Sequence, residues 1–369
     1  MKRREFLAHA MASAAMAASS GSLALPAGDH PGLNALAKKK GLFFGTAVNN
    51  GELSDPLSVA AIRADCGLVT AQRAQKWQIM WPNRDRETPE EADQLAQFAE
   101  RNNLLLRGHA LVYDQKLPAW VYGLSKADMR SAFDRRIRYT ASRWSSQVHS
   151  WDVVNEALEP NERNKNGLRD TIFLRTLGQD YISDAYFQAR EFDQHALLCY
   201  NDYNLEFDES FSVRRRRAVL ALIESLKKRG APIGALGIQG HLKPHFAFDD
   251  KVWRDFLRQV AQLDVKILIS ELDVNDKELP LPLAVRDAEV AALTKRFLDV
   301  TLDEPEVIGV VTWGLTDKQS WMLGRQQQRD PMFTRTDGGF PRPLPLDASF
   351  KPKPMWHAIA AAFRGAPSR

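Results

Sequence analysis

The chain has 369 residues, 44% of them hydrophobic and 26% charged, with a formal net charge of +4. That is the make-up of an ordinary globular protein with ample apolar material for a core. Lys2, Arg3 and Arg4 against Glu5 supply +2 of the charge, and no basic stripe with interleaved aromatics follows, so nucleic acid is not an expected partner.

The N-terminal run KRREFLAHAMASAAMAASSGSLALPA pairs arginines with Phe6 and Leu7, then passes into a weakly apolar, Ala-rich stretch. It reads as a twin-arginine export signal over residues 1–27, with cleavage after Ala24 or Ala27, leaving residues 28–369 as the mature domain. A spanning helix needs ~20 predominantly apolar residues. Neither this stretch nor any later one supplies them, so a periplasmic or extracellular protein free of the membrane after signal removal is expected, with a monomer as its state.

Strands are predicted at Leu42–Thr46, Leu68–Thr70, Leu104–Leu111, Ser150–Asn155, Leu197–Asn201, Ala235–Gln239, Ile267–Glu271 and Ile308–Trp313. Amphipathic helices fall between them at Pro89–Asn102, Lys126–Ser146, Thr171–Phe192, Phe211–Lys228, Asp250–Leu263 and Leu283–Leu302, each with apolar residues at three- and four-residue spacing. Within one of these, Arg214 to Arg217 reads as a solvated helix face. Cys66 and Cys199 lie far apart without metal-ligand spacing and read as small core residues, though in an exported protein they could also pair.

Strands alternating with helices imply a parallel sheet. Eight such units fit a single (β/α)8 TIM barrel. An open doubly wound sheet would carry a Gly-rich phosphate turn after its first strand, and GLFFGTAVNNG lacks the GxGxxG spacing. No low-complexity linker divides the chain, so the Pro-rich stretch from Gly338 to Pro345 is a loop of the same domain.

In such a barrel the active site lies at the C-terminal ends of the strands. Strand three contains Arg107 and His109. Strand four ends on Asn155-Glu156, strand five on Asn201-Asp202-Tyr203-Asn204, strand six on Gln239-Gly240-His241, strand seven on Glu271 and Asp273. Strand eight ends on Trp313, with Trp321 soon after. One such residue could be a helix cap or a surface ion pair. Repeated burial of polarity without a ligand to receive it would cost several kcal/mol each time. Two carboxylates nearly opposite each other across the ring suit cleavage of a glycosidic bond, one protonating the leaving oxygen while the other attacks the anomeric carbon. Tryptophan and tyrosine faces suit sugar rings, while amides and histidines suit hydroxyls. There is no HExxH or similar ligand cluster, so neither metal nor cofactor is expected.

WDVVNEA, LLCYNDYN, GIQGHL, ILISELDV and VTWGLTDKQSW, in this order, resemble glycoside hydrolase family 10, the endo-β-1,4-xylanases of the (β/α)8 class. The likeness runs from about Gly41 to Phe363, where KPKPMWHAI is similar to that family's last helix. The resemblance implies Glu156 as general acid/base and Glu271 as nucleophile of a retaining double displacement on a xylan-like polysaccharide. It implies His241 as a partner of the nucleophile with Asp273 behind it, Asn155 on the 2-hydroxyl of the sugar under attack, and Gln239 as a partner of the acid/base. Lys76, His109, Trp313 and Trp321 match sugar-binding positions on the non-reducing side of the cut. Asn201 and Tyr203 match positions near the cleavage point and beyond.

Two departures stand out. A family pattern like VTPENEMKW reads VTAQRAQKW here, putting Gln72 and Arg73 where Glu and Asn usually lie. GHTLVWH reads GHALVYD, with Tyr113 and Asp114 replacing Trp and His. An Arg73–Asp114 ion pair in the barrel mouth would connect the two changes; an unpaired Arg73 facing the groove would instead suit a uronic-acid branch, since a guanidinium binds carboxylate bidentately. Two other outcomes stay open: the same chemistry on a decorated or different β-glycan, and a sugar-binding barrel without catalysis.

Overall fold

The structure, a computed structural model, describes residues 31–161, 167–280 and 282–369. The predicted signal at residues 1–27 lies outside them. Eight parallel strands form the centre: β1 Phe43–Val48, β2 Leu68–Ala71, β3 Leu105–Val112, β4 Val148–Asn155, β5 Leu197–Asp202, β6 Ala235–Ile238, β7 Lys266–Val274 and β8 Val307–Thr312. Each pairs with the next, and β8 pairs back onto β1 through Phe43↔Gly309 to Thr46↔Thr312, so the sheet closes into a ring. Past the end of β6, the two-residue segment His241–Leu242 pairs again with β7 at Asp273 and Val274. The eight-strand barrel read from the sequence is the observed fold.

The predicted strands are right in place and miss only by a residue or a few at their ends. Their helices alternate with them because each has one apolar stripe; Asp250–Ala261, for example, buries Trp253, Phe256, Leu257 and Val260. Side chains start several helices by accepting from otherwise unpaired backbone N–H groups: Asp55 from Leu57, Ser125 from Asp128, Thr171 from Leu174, and Asp249 from Lys251 and Val252. Leu68, Leu268 and Val311 form a small cluster separate from the large one that packs strands against helices.

Two expectations are corrected. The helix predicted over Thr171–Phe192 is two helices, Ile172–Leu177 and Tyr181–Phe192, broken at Gly178, whose φ of 80° belongs to the left-handed region that glycine enters without steric cost. Nor is the Arg214–Arg217 run a solvated face, because Arg215 and Arg216 are buried. Arg215 donates to the Leu158 carbonyl at 2.6 Å and to the Asp202 carboxylate at 2.9 Å, while Arg216 donates to the carbonyls of Leu205 and Phe207. The segments after β4 and β5 leave carbonyl oxygens with no strand or helix partner, and these guanidinium groups satisfy them. Cys66 and Cys199 are both buried and free, which is the core-residue reading and not the disulfide. Among the described residues, no helix is long and apolar enough to cross a membrane.

Candidate active site

The C-terminal ends of β2 to β8 open into one cavity of ≈ 860 Å³, whose walls include Glu156, Glu271, Gln239, His241, Trp313 and Trp321. Glu156 follows directly on β4 with a φ of 55°. A non-glycine residue there costs ~1–3 kcal/mol, and it is held by a 2.9 Å bond from its backbone N–H to the Asn201 carbonyl on β5. The chain therefore turns sharply at the residue that carries the carboxylate.

Both glutamates are buried, and their surroundings differ. Oε1 of Glu156 accepts from Gln239 at 3.0 Å, Tyr113 at 3.2 Å and Asn155 at 3.3 Å. Its Oε2 accepts from Gln115 at 3.3 Å, with the Arg169 guanidinium 3.7 Å away. Glu271 has fewer but more strongly charged neighbours. Its Oε1 accepts from Asn201 at 2.8 Å, and its Oε2 lies 3.4 Å from Nε2 of His241. Burial works against its charge. The His241 hydrogen bond, with His109 and Lys76 nearby, outweighs that and holds the carboxyl below its ordinary value, so Glu271 is an anion at neutral pH.

His241 is itself fixed from behind. Its Nδ1 is 2.8 Å from Asp273, whose other oxygen accepts from the Trp321 indole at 2.8 Å. Burial alone would depress the imidazole, but Asp273 and Glu271 raise it to about 10. It is therefore an imidazolium at neutral pH, donating from both nitrogens.

The two carboxylates are linked by a pair of amides. Asn201, bonded to Glu271, also donates to Oδ1 of Asn155 at 2.9 Å, and Asn155 in turn donates to Glu156. Ser270 donates to the oxygen of Asn201 at 2.6 Å, which fixes which way the amide points. Gly237 on β6 leaves room for it: a Cβ there would sit 2.3 Å from Oδ1 of Asn201. Asn201 is fully buried and does not line the cavity, so it orients carboxylates rather than meeting solvent.

On the other wall, His109 is held by Asp152 at 2.9 Å, and Asp152 also pairs with the buried Arg107. The Trp313 ring meets His109 edge-on at 5.1 Å. Lys76 also lines the cavity. Tyr203 lines the opposite side, its hydroxyl accepting from Arg169 at 2.7 Å and its ring under Arg215 at 4.2 Å.

The proposed Arg73–Asp114 pair does not form. Arg73 lines the cavity, but its guanidinium reaches Glu91 at 3.2 Å on the rim, where more than half of the arginine side chain is exposed. Gln72 is bonded to Asn49. Asp114 faces Arg169: burial raises its carboxyl and the Arg169 charge partly offsets this. Sequence reasoning also missed the donation from Tyr113 and Gln115 to Glu156, and the approach of Arg169. These groups come from loops after β3 and β4, where no periodicity signals direction; the only available hint was that Tyr113 departs from the expected tryptophan. Among the described residues, no group of three or more histidine, cysteine or acidic side chains could hold a metal ion.

A neutral-donor-rich carboxyl and an anionic carboxylate sharing one cleft at the mouth of a (β/α)8 barrel define a glycoside hydrolase. The chain belongs to glycosyl hydrolase family 10, which residues 32–362 match. It is similar to endo-1,4-beta-xylanase B of Thermotoga neapolitana, 31% identical over 89% of this chain and 90% of that one. It is likewise similar to endo-1,4-beta-xylanase 3 of Hypocrea jecorina, 31% identical over 89% and 84%. Among solved structures, xylanase 10B of Thermotoga petrophila in complex with xylobiose superposes with a TM-score of 0.80 at 29% identity, covering 91% of this chain and 98% of that one.

Proposed function

We propose that this protein is a retaining endo-β-1,4-xylanase in which Glu156 is the general acid/base and Glu271 the nucleophile. The observation that carries the reading is the unequal environment of two linked carboxylates, with Glu271 held as an anion by a cationic His241. In the first step Glu156 gives its proton to the glycosidic oxygen while the Glu271 carboxylate attacks the anomeric carbon, so the leaving chain departs as an alcohol and a glycosyl ester forms. In the second, Glu156 takes a proton from water, whose oxygen attacks the same carbon and frees Glu271.

Asn155 suits the 2-hydroxyl of the sugar under attack, since its amide lies beside Glu156 and borders the cavity. His109, Lys76, Trp313 and Trp321 would hold the glycone side and Tyr203 the aglycone side, with Arg73 at the rim. Asp273 and Gln239 act as positioning residues for His241 and Glu156. Residues 1–27 act as a twin-arginine export signal for a monomeric periplasmic or extracellular enzyme; replacing Arg3 and Arg4 with lysine should leave unprocessed protein in the cytoplasm. The direct test is release of short oligosaccharides from xylan by the native protein. Glu271→Gln should abolish that release while the circular dichroism stays native; full activity in that variant overturns the assignment.

A further inference from the structure

Glu206 is a buried carboxyl with no part in either chemical step. It lies on the segment that follows β5, 2% exposed, and only one of its oxygens is bonded. Oε1 accepts from the backbone N–H of Gly240 at 2.8 Å, while Oε2 is buried and, among the described residues, has no donor. Burial raises the carboxyl from its ordinary value, and nearby backbone N–H groups, that of Gly240 included, work the other way. An acid half-satisfied in the interior costs the fold stability. What it supplies in return is the one bond it makes.

That bond lands between the two residues that hold the catalytic carboxyls. On one side of Gly240, Gln239 donates to Oε1 of Glu156 at 3.0 Å. On the other, His241 stands 3.4 Å from Oε2 of Glu271 and 2.8 Å from Asp273. β6 ends at Ile238, and Gly240 turns the chain with a φ of 76° before His241 pairs again with β7. The Gly240 N–H therefore meets a side chain, not a ladder carbonyl, while its own carbonyl accepts from Leu242 at 3.0 Å and Asp273 at 3.3 Å. Glu206 is fixed in turn: the Arg216 guanidinium donates to the carbonyls of Leu205 and Phe207, the residues on either side of it. A line of contacts thus runs from Arg216 through Glu206 to Gly240, and from there to both glutamates.

We propose that Glu206 is a positioning residue for both catalytic carboxyls, its bond to the Gly240 N–H setting the turn from which Gln239 reaches Glu156 and His241 reaches Glu271. This rests on the xylanase reading and adds a residue to its machinery. Releasing that one bond lets both partners drift together, so neither chemical step is spared.

The test sets reach against charge in two variants of the full-length mature enzyme. Glu206→Gln keeps an oxygen for Gly240 and loses the charge; Glu206→Asp keeps the charge and is one methylene too short to meet Gly240. Rates on xylo-oligosaccharides and on an aryl xylobioside are expressed per active site, titrated with an activated xylobioside carrying fluorine at C2, so that unfolded enzyme does not count. Glu206→Asp should lower kcat roughly 10- to 100-fold on both substrates with KM little changed. Burial already works against the Glu271 anion, and the His241 hydrogen bond that overrides it weakens in this variant, so the acidic limb of the pH–rate profile should also move up. Glu206→Gln, the conservative variant, should lose no more than about threefold, the difference between a charged and a neutral acceptor. Native kcat in Glu206→Asp overturns the inference and leaves the xylanase reading intact, as does a loss in Glu206→Gln as large as that in Glu206→Asp. A Glu206→Asp protein whose circular dichroism is that of an unfolded chain makes the carboxyl a requirement of the fold, which overturns the inference as well. A native enzyme that neither cleaves xylo-oligosaccharides nor takes up the label overturns both.

Discussion

Asp273→Asn isolates what the cationic histidine contributes. In the native protein burial pulls His241 down, yet Asp273 and Glu271 lift it from 6.5 to about 10. At ~1.4 kcal/mol per pH unit that difference corresponds to roughly 5 kcal/mol. It is an upper bound, because 19% of the side chain meets solvent and screens the charges. With a carboxamide at position 273 the imidazole loses the larger of its two supporting charges, and the charged donor that Glu271 has at 3.4 Å is weakened. A hydrogen bond between charged groups is worth ~1.5–3 kcal/mol, so kcat/KM on xylan should fall roughly 10- to 100-fold. The interaction that keeps Glu271 below its ordinary value weakens with it, so the acidic limb of the pH–rate profile should move to higher pH. Stability should follow the same group with the opposite limit. A histidine raised on folding contributes stability that is fully present below its unfolded value of 6.5 and is lost as pH rises through about 10. The difference in Tm between native protein and variant should therefore be largest near pH 6 and shrink toward pH 10. Stopped assays on xylan from pH 4 to 9, with thermal unfolding from pH 4 to 11, read both effects. A variant with the native rate and an unmoved acidic limb would refute the reasoning.

Glu156→Gln should lower kcat/KM on xylan by ~10²–10⁴-fold but far less on an aryl xyloside whose leaving group needs no proton; equal losses on both would remove Glu156 from the acid role. Gly237→Ala places a Cβ 2.3 Å from Oδ1 of Asn201, and should cost ~1–3 kcal/mol of stability by overpacking and lower kcat through the displaced amide, as chemical denaturation and initial rates will show. Arg215→Met leaves the buried Asp202 carboxylate, 2.9 Å from the guanidinium in the native protein, without its counter-charge. A loss of ~3–5 kcal/mol is expected, measured by urea unfolding.

The architecture was readable because a closed parallel barrel repeats one physical pattern eight times: a short apolar strand, then a helix with one apolar stripe. The strand-end residues Glu156, Gln239, His241 and Glu271 were readable for a related reason, since in a parallel ring the side chain that leaves each strand at its C-terminal end is brought to the same rim. What failed was anything decided in a loop or by one turn of a helix. Gly178 broke a helix that periodicity alone carried through to Phe192. Arg215 and Arg216 read as solvated because charge is visible in a sequence, whereas the Leu158, Leu205 and Phe207 carbonyls that bury them are not. Arg73 and Asp114 matched by charge, but Arg73 pairs with Glu91 and Asp114 feels the charge of Arg169. The contact from Tyr113 to Glu156 depended on where a loop places a hydroxyl, which no spacing rule supplies.

The central claim is that Glu271 becomes covalently bonded to the sugar during turnover. Incubating the native protein with an activated xylobioside carrying fluorine at C2 of the reacting sugar, digesting it and sequencing the labelled peptide by mass spectrometry addresses that bond directly. The label is predicted on Glu271, in the peptide containing ISELDV; a label on any other residue, or release of product with inverted anomeric configuration and no label, would contradict the account.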